Sequence, residues 1–429
     1  MKTIPLKSAV VGIGGFAGAH HTAWRELEQA GLGKLRATCD PAVARLGERV
    51  ERYEFDARGV TVYTGIDEML AAHGQRLDVL DIASPIRFHA EHHRLAVKHG
   101  LACYLEKPPT LDPEELEQML AVEKDARFVT QVGFNYITQP MRQEIKRRLV
   151  AGEFGRLRHV SFRGAWRRGQ WYYQRNNWAG RLLLDDGYLL LDSCAGNAMA
   201  HYLHNLLFHA GTDGQMNWAM PLTVEAELYR ANPIEGADTV FARGVLDNGV
   251  KFSLAATHAC AADNDSAEVL ECDGARIVFT GGGVQITHDN GRVESIPADD
   301  ANSGARVQDH LAAYCRYLAG APFPPATRLA DARPFVHLNT LLYLAAPRIT
   351  TVSAPHVVIE KWPGEELATH HIPGIEALCR DFTADSRFPS ERGVPWAGAS
   401  GTAGIAALPT LRAAIAKIKA TDGAGRKFQ

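Results

Sequence analysis

The stretch Ser8-Ala-Val-Val-Gly-Ile-Gly-Gly-Phe-Ala-Gly-Ala-His-His-Thr-Ala-Trp24 constrains the fold more than any other part of the chain. Apolar β-formers run into a glycine turn, and an amphipathic helical pattern opens at once. Gly12, Gly14 and Ala17 fit G-x-G-x-x-[G/A], with Gly15 and Phe16 completing the turn. Such a turn lets a backbone approach a pyrophosphate at a helix N-terminus. On its own the pattern is weak, because 39 glycines among 429 residues give chance matches. The alternative is an ordinary tight strand-to-helix turn, and the rest of the chain decides between the two.

Past this turn, strand and helix patterns alternate. Strand patterns at Lys7–Gly12, Leu35–Cys39, Val60–Tyr63, Val79–Ala83, Leu101–Leu105 and Phe128–Gly133 are separated by helical patterns. Those helices are predicted at Phe16–Ala30, Pro41–Tyr53, 67–72, Phe88–His99 and Asp112–Val122. This rhythm predicts an α/β domain with a doubly wound parallel sheet. The pattern then changes. Pro140–Ala151 reads as a helix, Arg158–Ala165 as a strand, residues 166–188 as a loop and Asp192–Phe208 as a helix. From Leu222 to Thr287 come strand-like runs broken by Asp247-Asn-Gly249 and Asp273-Gly274, with Asp289-Asn-Gly291 after them. These are hairpin turns, so the second region is predicted to be α+β with an open, mostly antiparallel sheet. Helices at Arg306–Leu318 and Ala330–Ala345 complete it.

The predicted boundaries are therefore 1–136, 137–345 and a C-terminal extension, 346–429. The extension holds a strand-like Val357–Ile359 and helices near Ile375–Phe382 and Leu411–Ala420. Its Ala397–Gly404 reads as flexible and Thr421–Gln429 as disordered.

Charge narrows the function classes. The net charge is −3, which gives no bulk electrostatic case for nucleic acid or an anionic membrane. No apolar run approaches the ~18–20 residues a membrane span needs, and no signal core follows Met1. The seven cysteines are widely spaced, without C-x-x-C or zinc-ligand spacing. They read as reduced thiols, and the expected compartment is the cytoplasm. His89, His92, His93 and His99 lack acidic or cysteine company, so solvent-facing histidines are expected and no metal. There is no G-x-S-x-G elbow, H-E-x-x-H or Walker-type G-K-[ST].

Two further features bear on the glycine turn. Asp40 ends the second strand, where a carboxylate can accept both ribose hydroxyls of an adenosine and repel a 2′-phosphate; this favours NAD over NADP. The alternative is that Asp40 caps the next helix, and Arg45 leaves NADP open. Glu106-Lys107-Pro108 follows the fifth strand, beyond whose carboxyl end ligands of such sheets bind. A lysine there can take or give a proton as a carbinol becomes a carbonyl; the other reading is a surface lysine in a loop leading to a helix.

The glycine turn, Ser84-Pro85 with His89 downstream, Glu106-Lys107-Pro108 and Gln131-Val-Gly-Phe-Asn135 together resemble the Gfo/Idh/MocA oxidoreductase family over about residues 5–345. The resemblance implies an N-terminal Rossmann domain and a C-terminal α/β domain built on an open sheet. It also implies sugar, inositol or related dehydrogenase activity, and a homodimer or homotetramer formed through that sheet. It maps Lys107 onto the family's proton-handling lysine, with Glu106 beside it, and Ser84, Pro85 and His89 onto the segment lining the nicotinamide. The family's second signature is an Asp followed four residues later by His. Here Asp192 matches but position +4 is Gly196. Asn197 and His201, spaced i, i+4, share a helix face and are candidate replacements, with His201 equally readable as a core or interface histidine. His204 reads as structural.

The preceding segment, Arg163 to Arg181, is dense in aromatics, arginines and amides. That composition suits a polyhydroxylated ring or an acidic sugar; it could also simply pack on the sheet. Trp178 within it, and Tyr136 past the sixth strand, are candidate substrate contacts. The reading is an NAD-dependent oxidoreductase acting on a sugar, cyclitol or related polyol. Lys107 would be acid/base, Asp192 would orient it or a hydroxyl, and Asn197 or His201 would complete the site. Its rivals are an NAD-retaining glycoside-cleaving enzyme and a non-catalytic dinucleotide-bound sensor.

Overall fold

A computed structural model describes residues 1–261, 265–298 and 306–421. It divides into two compact units. One holds residues 1–110, 114–140 and 306–333, and the other holds the remaining described residues.

The first unit is a six-stranded, all-parallel sheet. Its strands are β1 (Leu6–Val11), β2 (Gly33–Cys39), β3 (Thr61–Tyr63), β4 (Val79–Ile82), β5 (Ala102–Leu105) and β6 (Gln131–Val132), in the spatial order 3-2-1-4-5-6. β4 and β5 are buried at every position, as strands covered on both faces must be. The order reverses between β1 and β4, so the crevice of a doubly wound sheet opens at the ends of these two strands.

The helix Val307–Leu318 also belongs to this unit, not to the second domain where the boundary at 137–345 put it. Leu311, Tyr314, Cys315 and Leu318 recur at helical spacing, and that face packs in one core with Val10, Trp24, Leu27 and Tyr104. Tyr104 Oη and His310 Nδ1 lie 2.9 Å apart. A chain that leaves a domain and returns leaves no local mark in its sequence.

The second unit is built on a large mixed sheet. It comprises β7 (Leu157–Ala165), β8 (Pro221–Arg230), β9 (Thr239–Leu246), β10 (Lys251–Thr257), β11 (Asp265–Cys272), β12 (Ala275–Thr280), β13 (Gly283–His288), β14 (Val293–Pro297) and β15 (Ile349–Thr351). Their order is 14-13-12-11-7-10-9-8-15, antiparallel throughout except for the pairs β7–β10 and β8–β15. β16 (Val358–Glu360) and β17 (Thr369–His371) form a separate two-stranded sheet. Gly401–Gly404, inside the stretch expected to be flexible, is β18 and pairs antiparallel with β8. Its glycines and alanine carry no strand propensity; the partner's edge supplies the hydrogen bonds.

Side chains alternate across β7, and each set meets a different helix. On one face Phe162 stacks on Tyr202 of the helix Ala200–Ala210, the ring centroids 4.6 Å apart. On the other, Ala165 joins Tyr229, Phe241 and Ala255 under Ile375, Cys379, Phe382 and Phe388. The extension therefore laps over its own sheet through the helix Ile375–Asp385. Part of the sheet for which a second copy was the expected cover, around β7 to β10, is covered here within one chain.

Two local expectations are corrected. Residues 166–188 contain a short helix, Gln170–Gln174. Asp192–Phe208 is not one helix: Asp192 lies outside any helix, Ser193 is extended, Cys194–Ala198 is a π-helical turn, and the α-helix begins at Ala200. Of the tail expected to be disordered, only Thr421 is described, as the last residue of the helix Leu411–Thr421; residues 422–429 lie outside the described residues. Among the described residues no helix is long and apolar enough to cross a membrane.

Candidate active site

In the first unit the glycine turn connects β1 to the helix Ala17–Gln29. Gly12 has φ +112°, and a Cβ there would stand 3.0 Å from the Ala83 carbonyl oxygen and 3.2 Å from Ala17 Cβ. Only glycine fits so close to its neighbours in that conformation. Gly15 has φ +55°, and its Cβ position faces open space. Phe16, which precedes the helix, is exposed. Asp40 is engaged with the backbone on two sides. Its Oδ2 accepts from the N–H groups of Ile13 (2.9 Å) and Gly14 (3.2 Å), and its Oδ1 accepts from Ala42 (2.9 Å). The carboxylate thus braces the turn and caps the next segment while keeping acceptor capacity for a ribose hydroxyl. Arg49 donates to the Gly15 carbonyl at 3.2 Å, and Arg45 lies exposed on the surface. These residues fit a dinucleotide: a close-packed glycine turn, an open approach at Gly15, and an acid at the end of β2.

The loops after β4 and β5 are tied together. His89 is buried, with Nε2 2.8 Å from the Ser84 carbonyl and Nδ1 3.0 Å from the Pro108 carbonyl. Burial lowers its pKa. His89 thus braces the Ser84-Pro85 and Lys107-Pro108 loops through both ring nitrogens. Ser84 Oγ lies 3.0 Å from His92 Nδ1. The expectation of solvent-facing histidines fails on this helix: His89, His92 and His93 are all buried, and His93 Nε2 is 3.0 Å from Thr130 Oγ1.

Lys107 is half-buried, and its backbone N–H donates to Glu106 Oε2 at 3.0 Å. Glu106 in turn is anchored from below. His20, fully buried on the helix after the glycine turn, sets Nε2 3.2 Å from Glu106 Oε1 and Nδ1 2.9 Å from Asp81 Oδ1. Trp24 Nε1 donates to Asp81 Oδ2 at 2.8 Å. Burial opposes charge on His20, but Asp81 and then Glu106 outweigh it and raise its pKa to about 10. Burial pushes Glu106 up, and the hydrogen bond and charge of His20, helped by Lys107, bring it below its ordinary value. The result is a buried carboxylate–imidazolium–carboxylate chain. His20 is not among the residues that sequence motifs single out. The available signal was its spacing: His20, Trp24 and Leu27 share the inward stripe of an otherwise amphipathic helix.

In the second unit, Asp192 is buried. Its Oδ2 accepts from Gly180 N–H at 2.6 Å, and its Oδ1 accepts from Asn197 Nδ2 at 2.8 Å. Asn197 sits in the π-helical turn, a one-residue widening that recurs at functional sites. His201 is half-buried at the start of the following helix, so the expected common face of Asn197 and His201 is broken at Met199. His204 is fully buried. Gly196, where the resemblance leads one to expect a histidine, is closely packed. A Cβ there would stand 2.8 Å from Asn339 Oδ1, 3.1 Å from the Leu191 carbonyl oxygen and 3.2 Å from Ser193 Oγ. Trp178 is half-buried against Tyr173 and Ile234, under the Arg175 guanidinium. Tyr136, in the 3-10 turn Asn135–Thr138 of the first unit, is also half-buried.

Residues 6–134 match a family model described as "Oxidoreductase family, NAD-binding Rossmann fold". Among curated proteins, the chain is 26% identical over 201 residues to D-glucoside 3-dehydrogenase of Escherichia coli (strain K12), covering 45% of this chain and 54% of that one. It is 31% identical over 191 residues to D-apiose dehydrogenase of Paraburkholderia graminis, covering 43% and 48%. The matched stretch spans about half the length of these relatives. Among solved structures, an oxidoreductase from Agrobacterium radiobacter in complex with NAD+, L-tartaric acid and magnesium superposes with a TM-score of 0.65, covering 79% of this chain and 95% of that one. At 19% identity this is a likeness of fold.

Proposed function

We propose that this chain is a member of the Gfo/Idh/MocA oxidoreductase family and an NAD-dependent dehydrogenase acting on a CH–OH group of a sugar, cyclitol or related polyol. The observation that carries the reading is the Asp81–His20–Glu106 chain. It joins the helix that would receive the dinucleotide to the loop that carries Lys107, which supports a reading in which cofactor site and proton carrier share one buried network. The two named relatives, dehydrogenases of a glucoside and of apiose, support the substrate class.

Nicotinamide, when bound, supplies hydride exchange at the carbinol carbon; the chain's own work is placement and proton handling. Gly12, Gly14, Gly15, Phe16 and Ala17 would cradle the pyrophosphate, and Asp40 would accept a ribose hydroxyl and disfavour a 2′-phosphate. Ser84 and Pro85 would line the nicotinamide side, on a segment held by His89. Lys107 Nζ would take the hydroxyl proton during oxidation and return it during reduction. Asp192, Asn197 and His201, with Tyr136 and Trp178, would hold substrate hydroxyls. All seven cysteines are free, which supports a reducing, cytoplasmic compartment. Association into a homodimer or homotetramer would use sheet surface that the segment 375–388 leaves open.

The test is NADH production across a panel of sugars, sugar acids and inositols, for the wild type and Lys107→Ala. The expected result is NAD-linked turnover that falls by about 100-fold or more in the variant. Unchanged turnover in Lys107→Ala removes the mechanism. Release of free sugar from a glycoside without NADH accumulation would assign the chain to its glycoside-cleaving rival.

A further inference from the structure

Five arginines lie in the segment running from Arg163 to Arg181, and they divide into two kinds. Arg163 pairs with Asp265 at 3.2 Å, Arg167 with Glu365 at 2.6 Å and Arg181 with Asp185 at 2.5 Å. Arg168 and Arg175 have no acidic partner among the described residues. Both lie instead over the ring of Tyr172, their guanidinium carbons 5.2 and 3.5 Å from its centroid. Arg175 also lies 5.3 Å from the Trp178 ring, and Arg168 lies 5.8 Å from that of Trp166. Each guanidinium gives its Nη1 to a backbone carbonyl, Arg168 to that of Arg167 and Arg175 to that of Tyr172; stacking on aromatic rings restrains the plane of the Nε–Nη2 edge that remains, a preorganised state for gripping an anion through two parallel hydrogen bonds.

The surroundings of Tyr172 sharpen this. The Nε of Arg168 is buried without a hydrogen-bond partner. His258, whose ring centroid is 5.5 Å from that of Tyr172, is fully buried. Its Nδ1 lies 2.8 Å from the Trp166 carbonyl and so carries the proton. Burial, and then the charges of Arg168 and Arg175, keep the imidazole neutral, with a pKa of about 3. It therefore adds no third positive charge. Asp192 is the acid that acts on Tyr172, and both its oxygens already accept hydrogen bonds, from Gly180 and Asn197. Trp171, on the same short helix, is 44% exposed and offers a flat apolar surface beside the charges.

We infer that Arg168 and Arg175 form an anion-binding subsite, and that the substrate of this chain is a sugar or polyol carrying an acidic group, a carboxylate or a phosphate ester. The inference rests on the dehydrogenase reading for the identity of the ligand, because it assigns Asp192 and Asn197 to the substrate's hydroxyls. It goes beyond that reading in making the charged substituent, rather than the hydroxyl pattern alone, a determinant of selection.

The experiment uses matched sets of a neutral sugar, its uronic or aldonic acid and its phosphate monoester. Each is assayed for NADH production and, separately, for binding by calorimetry. Arg175 is exposed, so Arg175→Gln leaves the fold intact; Arg175→Lys keeps the charge without the fork, and Arg168→Gln is the partner variant. The expected result is a preference of 10-fold or more in kcat/KM for one acidic member over the neutral one. Arg175→Gln should abolish that preference by raising KM for the acid while leaving the neutral sugar's KM unchanged. Whether the carboxylate or the phosphate wins identifies the group. Acid binding that is lost in Arg175→Gln, with no NADH from any member, upholds the subsite and removes the dehydrogenase reading. NADH from neutral and acidic members alike, indifferent to both arginine variants, overturns the subsite and leaves that reading standing. Absence of acid binding by calorimetry overturns it as well.

Discussion

His20 Nε2 stands 3.2 Å from Glu106 Oε1, so the helix that follows the glycine turn is bonded directly to the residue preceding Lys107. The pH dependence follows from its sign. The folded-state pKa of His20 is about 10, above the ordinary 6.5, so folding favours the protonated ring. The stabilisation is fully present below about pH 6.5 and is lost as pH rises toward 10. Removing the imidazole leaves Asp81 and Glu106 buried together, and His20→Gln should cost about 3–5 kcal/mol near neutral pH. Thermal melts of wild type and variant between pH 6 and 10 should converge as pH rises. Parallel curves across that range would refute the assignment.

Asp40 predicts cofactor choice. Its carboxylate accepts from Ile13 and Gly14, and in the proposed dinucleotide site its charge would oppose a 2′-phosphate. Asp40→Asn should weaken NAD binding by about 10-fold while leaving NADP binding equal or tighter, measured by fluorescence titration of both dinucleotides. Equal losses for the two would mean that Asp40 only braces the turn and does not discriminate.

Gly196 predicts an asymmetric double mutant. A side chain at this position forces a Cβ to within 2.8 Å of Asn339 Oδ1. Asn339 is fully buried, with neither amide atom hydrogen-bonded, so it has little room to move away. Gly196→Ala should destabilise by about 1–3 kcal/mol, and Asn339→Ala in the same chain should recover part of that loss. Strict additivity in denaturant melts would show that the two sites do not touch.

How much the sequence disclosed depends on the range of each interaction. The parallel sheet was legible because buried strands, intervening helices and glycine turns are written in adjacent residues, from Leu6 to Val132. The positions of Asp40 and Lys107 were legible for the same reason, since each follows closely on the end of a strand. His20 escaped because its partners are Asp81 and Glu106, distant in sequence, and a histidine on an apolar stripe carries no local sign of them. The steric role of Gly196 depends on Asn339, far along the chain, and the place of Val307–Leu318 depends on Trp24 and Leu27. The break at Met199 escaped because helical periodicity does not register the added residue of a π-helical turn. The strand Gly401–Gly404 escaped because its two glycines and alanine disfavour a strand and Thr402 alone favours one, so its pairing with β8 decides it.

The covering of the second sheet by the C-terminal segment yields the last prediction. Phe382 is fully buried, with ring centroids 5.3 Å from Phe241 on β9 and 5.2 Å from Phe388. Phe382→Ala removes the centre of this contact and should cost about 3–5 kcal/mol, lowering the melting temperature by roughly 10 °C. Phe323, 77% exposed, is the control, and Phe323→Ala should change neither. The two ways of covering the sheet separate by mass action. If residues 375–388 shield the sheet within one chain, the loss in Phe382→Ala is independent of protein concentration. If the same helix were held by a second copy, the wild-type melting temperature would climb with concentration and the variant's deficit would change with it. Melts over a 100-fold range of concentration distinguish the two, and the packing of Phe382 against Phe241 of the same chain predicts the concentration-independent result.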